Sequence, residues 1–130
     1  MTETTRLSAS AIRYLLALHS LGGPDGSVRS ADLAAALGVS RPSVHNMMNT
    51  LLSLGLIDKG SYSSARLTGE GRAAARRYAR CLNAAALLLG EQLPADAGMQ
   101  SALCALLSEL PVAKLDALCA RGADRPASEI

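Results

Sequence analysis

The chain is 130 residues long and 49% hydrophobic but only 2% aromatic, with neither Phe nor Trp. That length suits one compact domain, or a small domain with an appended assembly element, and an Ala/Leu core of this kind favours helix over sheet. A formal net charge of only +2 excludes inferring nucleic-acid binding from charge alone, because strongly basic binders show themselves in composition. Three irregularly spaced cysteines, a polar Met1 to Leu7 segment without a secretion signal, and no apolar run near the ~20 residues that span a bilayer predict reduced thiols in a cytoplasm and argue against a membrane partner.

In chain order, Leu7, Ile12, Leu15, Leu16 and Leu18 predict an amphipathic first helix, capped by Ser8 or Ser10 and ended by the glycine-rich turn Leu21-Gly-Gly-Pro-Asp-Gly26. Ser30 to Leu37 predicts a short capped helix stopped by Gly38. Val39-Ser40-Arg41-Pro42 follows as a tight turn that caps the next helix, with Pro42 in its first turn, where the missing N–H breaks no hydrogen bond. That next helix divides into two faces. Val44, Met47, Met48, Leu51 and Leu52 recur at the spacing of a buried stripe, whereas Ser43, His45, Asn46, Asn49, Thr50 and Ser53 fall opposite.

The opposite face is rich in hydroxyls and amides and nearly free of charge. Such groups match the donors and acceptors of base edges, while solvated helix faces more often carry Glu, Lys, Arg and Gln. Gly55-Leu-Ile-Asp-Lys-Gly60, a polar turn over Ser61 to Ser64, and Ala65-Arg66-Leu67-Thr68 predict two short strands with a polar tip, a wing. Lys59 and Arg66 flank the tip, where phosphates would pass if the preceding helix lay in a major groove. The order helix, tight turn, helix, Gly-Leu-Ile, hairpin, Leu-Thr-x-x-Gly is that of a winged helix-turn-helix.

Beyond Thr68, a candidate N-cap, Glu70 to Leu89 predicts one long helix stopped by Gly90, and Ala97 to Ser108 and Pro111 to Ala120 predict two amphipathic tail helices. Leu87, Leu88, Leu89, Leu103, Leu107 and Leu115 offer more apolar surface than one small chain is expected to cover, which predicts an isologous homodimer. The organisation expected is therefore mainly α: a winged helix-turn-helix over residues 1–68, a helical dimerisation region over 69–121, and a flexible tail over 122–130.

On Arg13-Tyr-Leu-Leu-Ala-Leu-His-Ser-Leu21, Leu33-Ala-Ala-Ala-Leu-Gly-Val-Ser-Arg-Pro-Ser-Val-His-Asn46, Gly55-Leu-Ile and Leu67-Thr-Gly-Glu-Gly71, the chain resembles the iron- and manganese-dependent repressors of the diphtheria-toxin-repressor type. The resemblance runs from about Ser8 to Leu118. It implies a homodimer on double-stranded operator DNA, with Ser40, Pro42, Ser43, His45 and Asn46 in the slots from which such repressors contact DNA. The family's metal ligands do not carry over. Arg13 and Leu16 flank Tyr14 where ligands would stand, the long-helix histidine slot falls on Ala79 or Leu82, and Ser101, Cys104 and Ala105 replace the next set. A first-row divalent ion needs three or four N, O or S ligands, so no metal cofactor is expected.

Other chemistry is sparse. Cys81, Cys104 and Cys119 admit a thiolate metal site or a redox sensor, against the commoner reading of buried free thiols. His19 reads as a capping or surface residue. Arg72, Arg76 and Arg80, with Arg77 beside them, form a basic stripe suited to phosphates, to an acidic partner or to solvent. No nucleophile, base and orienting acid cluster, so no enzyme is expected. The residues expected to meet DNA are Ser40, Arg41, Pro42, Ser43, His45, Asn46, Asn49, Lys59 and Arg66, in a dimeric transcriptional regulator whose effector is not legible. The alternative is a winged-helix protein-interaction module, although such a face would more often carry aromatic and aliphatic anchors.

Overall fold

The computed structural model describes residues 7–22, 26–60, 64–89 and 97–123. Residues 61–63 of the expected polar turn over Ser61 to Ser64, the middle of the glycine-rich turn at 23–25, the Gly90 stop and the tail from 124 onward lie outside the described residues, and Ser64 itself is the first residue of a strand. The order is α1 (Ala9–Leu21), β1 (Ser27–Arg29), α2 (Ser30–Leu37), α3 (Arg41–Ser53), β2 (Ile57–Lys59), β3 (Ser64–Leu67), α4 (Gly69–Leu89), α5 (Ala97–Glu109) and α6 (Val112–Ala123). The fold is mainly helical with one small antiparallel sheet, as expected. No helix of the described residues is long and apolar enough to cross a membrane.

The chain divides into two compact units, Ala11–Arg76 and the chain from Arg77 on together with the residues before Ala11. In the first, α1 buries Ala11, Ile12, Tyr14, Leu15 and Leu18, a stripe at steps of three and four residues. Leu7 lies before the helix rather than in it, and Ser10 lies inside it, so of the two expected caps only Ser8 stands at the helix start. Helix α2, read from the sequence as capped, has Arg29 at its N-cap and no side-chain cap hydrogen bond. Ser30 is its first residue, as expected, and its hydroxyl reaches the Met48 sulfur at 3.6 Å. Gly38, at φ 68°, closes α2 in the left-handed conformation that glycine adopts without a Cβ clash.

The sheet holds three strands in the order β1-β3-β2. The sequence announced only two. Ser27-Val28-Arg29 has a single apolar residue and no alternation to read, yet Val28 is buried opposite Ala65. Helix α3 buries Val44, Met48 and Leu51. Leu52, expected in that stripe, is 40% exposed, because at 3.6 residues per turn it lies roughly 80° round the helix from Val44.

In the second unit, Cys81, Ala84 and Ala85 of α4, Leu103, Cys104 and Leu107 of α5, and Leu115 of α6 are buried. Leu103, Leu107 and Leu115, expected to need a second chain for cover, are at most 4% exposed within this one. The two tail helices cover apolar stripes that sequence alone left open. Leu87 and Leu88 remain 42% and 39% exposed, and Leu106 48%.

Candidate nucleic-acid interface

Ser40 caps α3. Its hydroxyl accepts the Ser43 N–H at 3.2 Å and donates to the Ser43 hydroxyl at 2.9 Å, which satisfies a free amide of the first turn, and Pro42 occupies that turn. The entry angle of the helix is thereby set by Gly38, Ser40 and Pro42. All of Arg41, Pro42, Ser43, His45, Asn46, Asn49, Thr50 and Ser53 are exposed, as the two-faced pattern predicts.

The exposed groups are not equivalent. The Thr50 hydroxyl bonds back to the Asn46 carbonyl at 3.2 Å, and the Ser53 hydroxyl to the Thr50 carbonyl at 2.7 Å, so both are engaged by their own helix. Lys59, from β2, donates its Nζ to Asn49 Oδ1 at 3.2 Å, and Asn49 Nδ2 lies 3.4 Å from His45 Nε2. An ammonium has no acceptor, so the Asn49 oxygen must face Lys59 and its amide nitrogen must face His45. His45 Nε2 is then the acceptor of that contact. The Asn46 amide has no protein partner among the described residues, and its donors and acceptor are open.

The structure brings Lys59 to this face and not Arg66. Lys59 pairs with Ala65, which is buried, so the Lys59 side chain leaves the sheet on the same side as the core residues Ile57, Ala65 and Leu67. Arg66 lies between two buried neighbours and points to the other side, opposite Ser27 and Asp58. Its Cγ would lie 3.5 Å from a Cβ at Gly26, and with Leu18, His19, Gly22, Leu67 and Arg72 it lines a small open cavity of about 150 Å³. Arg72 also donates to the Leu67 carbonyl at 3.2 Å. In the second unit Arg77 stands 3.9 Å from Asp116, an exposed pair of little energetic weight.

Thr68 caps α4 as expected, and it has a second role that the sequence did not show. Thr68 receives two roles at once: its N–H donates to the Leu56 carbonyl at 3.0 Å and its hydroxyl donates to the Gly55 carbonyl at 2.8 Å while accepting the Gly71 N–H at 3.0 Å. This ties the start of α4 to the turn between α3 and β2 and so fixes the wing against α3. Gly71 is required there, because a Cβ would overlap the Leu56 carbonyl oxygen. The Leu-Thr-x-x-Gly spacing was the available signal.

Among the described residues, no three His, Cys, Asp or Glu side chains gather where they could hold a metal ion. None of Cys81, Cys104 and Cys119 is in a disulfide, and they do not form the three-cysteine metal site that the sequence left open.

A capped helix-turn-helix followed by a hairpin tied to its second helix defines a winged helix-turn-helix protein. Residues 10–60 match the IclR helix-turn-helix domain. The chain is 44% identical over 46 residues to the transcriptional regulator MntR of Escherichia coli, a stretch that is 35% of this chain and 30% of that one. In fold it is similar to IdeR of T. acidophilum, with a TM-score of 0.60 at 22% identity over 95% of this chain and 56% of the other. It is similar also to the manganese regulator SloR, with a TM-score of 0.67 at 23% identity over 85% of this chain and 54% of that one. The resemblance to the iron- and manganese-dependent repressors therefore holds, in sequence across the helix-turn-helix and in fold across most of the chain. The chain spans less than a third of the length of the curated relative and about half that of these two structures.

Proposed function

We propose that the protein is a sequence-specific DNA-binding transcriptional regulator that acts as a homodimer. The observation that carries this reading is the outward face of α3, where His45, Asn46 and Asn49 present imidazole and amide groups with one cation, Lys59, held against them. Amides and an imidazole discriminate base edges in the major groove, and a single positioned ammonium supplies a phosphate contact without indiscriminate attraction. Ser40, Arg41, Pro42 and Ser43, at the helix N-terminus, lie where backbone N–H groups meet a phosphate. Arg66 lies on the outer side of the wing and would reach only a phosphate that passes that side.

Exposed Leu87, Leu88 and Leu106 supply the apolar surface for a second copy. Divalent-metal control is absent in this reading. The family's ligand positions hold Arg13, Leu16, Ala79 or Leu82, Ser101, Cys104 and Ala105, a donor set that does not complete a coordination shell. No catalytic step is involved, and the expected compartment is the cytoplasm.

Binding-site selection from random duplexes at moderate salt tests the reading. The expected result is a roughly palindromic site with half-sites about one or two helical turns apart, as paired recognition helices require. Recovery of no enriched sequence would overturn it in favour of a protein-interaction module, a reading that the net charge of +2 keeps open.

A further inference from the structure

Helices α4 and α6 run side by side in opposite directions around two cysteines. The Cys81 thiol donates to the Leu115 carbonyl at 3.4 Å, and the Cys119 thiol reaches the Arg77 carbonyl at 3.9 Å. Leu115 is four residues before Cys119, and Arg77 is four residues before Cys81. In an α-helix the side chain of residue i tilts toward the N-terminus, over the carbonyl of residue i−4. Each sulfur therefore sits at the carbonyl over which the other cysteine's side chain lies. The two contacts place the thiols against each other. Cys81 is buried, Cys119 is half-buried, and Cys104 is buried on a different helix.

We propose that Cys81 and Cys119 form an intramolecular disulfide on exposure to a hydroperoxide, making this helix pair an oxidation site. Cys119 is the accessible partner. Its thiolate attacks one peroxide oxygen, the O–O bond breaks, and the products are the Cys119 sulfenic acid and hydroxide, which takes up the thiol proton to become water. The Cys81 sulfur then displaces hydroxide from the sulfenic acid, forming the S–S bond and a second water as its own proton leaves. Two thiols give up two electrons and one peroxide is reduced.

Burial first, and then the neighbouring Cys119, push the Cys81 thiol up to about 12, which keeps it out of the first step. Once Cys119 is a neutral sulfenic acid, its opposing charge is gone, and a thiol of high pKa is intrinsically the stronger nucleophile for the second step. The site is independent of the DNA-binding reading and is tested without DNA.

The full chain is reduced, treated with hydrogen peroxide, denatured and alkylated, and analysed by mass spectrometry. The expected product is lighter by two hydrogens, retains a single alkylatable thiol, Cys104, and yields a Cys81–Cys119 cross-linked peptide that dithiothreitol reverses. Cys104→Ser should form the same cross-link with no alkylatable thiol remaining. Cys119→Ser, at a half-buried position that tolerates the change, should keep both remaining thiols alkylatable. Full alkylation of all three cysteines after peroxide, a Cys119 sulfinic acid without a cross-link, or a cross-link between chains would each overturn the proposal.

Discussion

Replacing Gly71 by alanine tests how the wing is held against the recognition helix. The added methyl would overlap the Leu56 carbonyl oxygen and lie 2.9 Å from the Leu56 carbonyl carbon and 3.1 Å from Leu67 Cδ2. Two of these atoms are backbone and cannot rotate away. The same Leu56 carbonyl accepts from Thr68, whose hydroxyl accepts from Gly71 itself and donates to Gly55, so any shift that relieves the overlap also strains those bonds. Overpacking of this kind costs about 1–3 kcal/mol, and losing two of the hydrogen bonds adds about 1 kcal/mol each. A loss of roughly 4 kcal/mol follows, a large share of the ~5–15 kcal/mol that holds a typical domain together. For a chain of this size that corresponds to a fall of about 15 °C in Tm.

Gly69→Ala is the control. It lies in the same first turn, nothing stands within 4 Å of its added Cβ, and alanine should be neutral or slightly stabilising. Urea unfolding followed by helical circular dichroism compares the two. Equal midpoints for the two variants would refute the close-approach argument, and with it the claim that Leu-Thr-x-x-Gly is a packing requirement.

Three further outcomes are expected. Asn46→Ala should cost about 1–3 kcal/mol on the selected site and little on random DNA, whereas Lys59→Ala should weaken both and reduce the salt slope by about one phosphate; an Arg66→Ala effect larger than that of Lys59→Ala would place the outer face of the wing on the duplex instead. Light scattering should give twice the 13.4 kDa chain mass at micromolar concentration, and Leu87→Glu with Leu88→Glu should give the single chain mass. DNA affinity should be the same with a chelator as with added manganese or iron, and a manganese-dependent gain would show that a coordination shell forms from residues other than those at the family's ligand positions.

The helices were legible because each announces itself locally. Gly38, Ser40 and Pro42 punctuate α2 and α3, Thr68 opens α4, and periodic apolar residues mark every buried stripe. Burial between helices was less legible. Leu103, Leu107 and Leu115 looked surplus to one chain because amphipathicity states that a face needs cover but not what covers it. The strand β1 was missed for a different reason: three residues with one apolar side chain carry no period, and its place in the sheet is set by pairing with β3 across more than thirty residues of chain.

The division between Lys59 and Arg66 was present in the sequence and lies in parity rather than in proximity. Both residues flank the wing tip and carry the same charge, which invites treating them as equivalent phosphate contacts. Side chains alternate along a strand, so once Ile57 is committed to the core Lys59 follows it to that side, and once Ala65 and Leu67 are buried Arg66 must leave on the other. What parity cannot supply is the partner. Lys59 meets Asn49 only because the Thr68 contacts fix where the hairpin stands against α3, and that depends on a glycine twelve residues beyond the lysine. A slip of one residue in the β2–β3 register would send Asp58 rather than Lys59 toward the recognition helix, replacing a phosphate-seeking cation with a group that repels DNA. The electrostatic sign of the interface is thus set by backbone packing at Leu56, Thr68 and Gly71, none of which has a charge of its own.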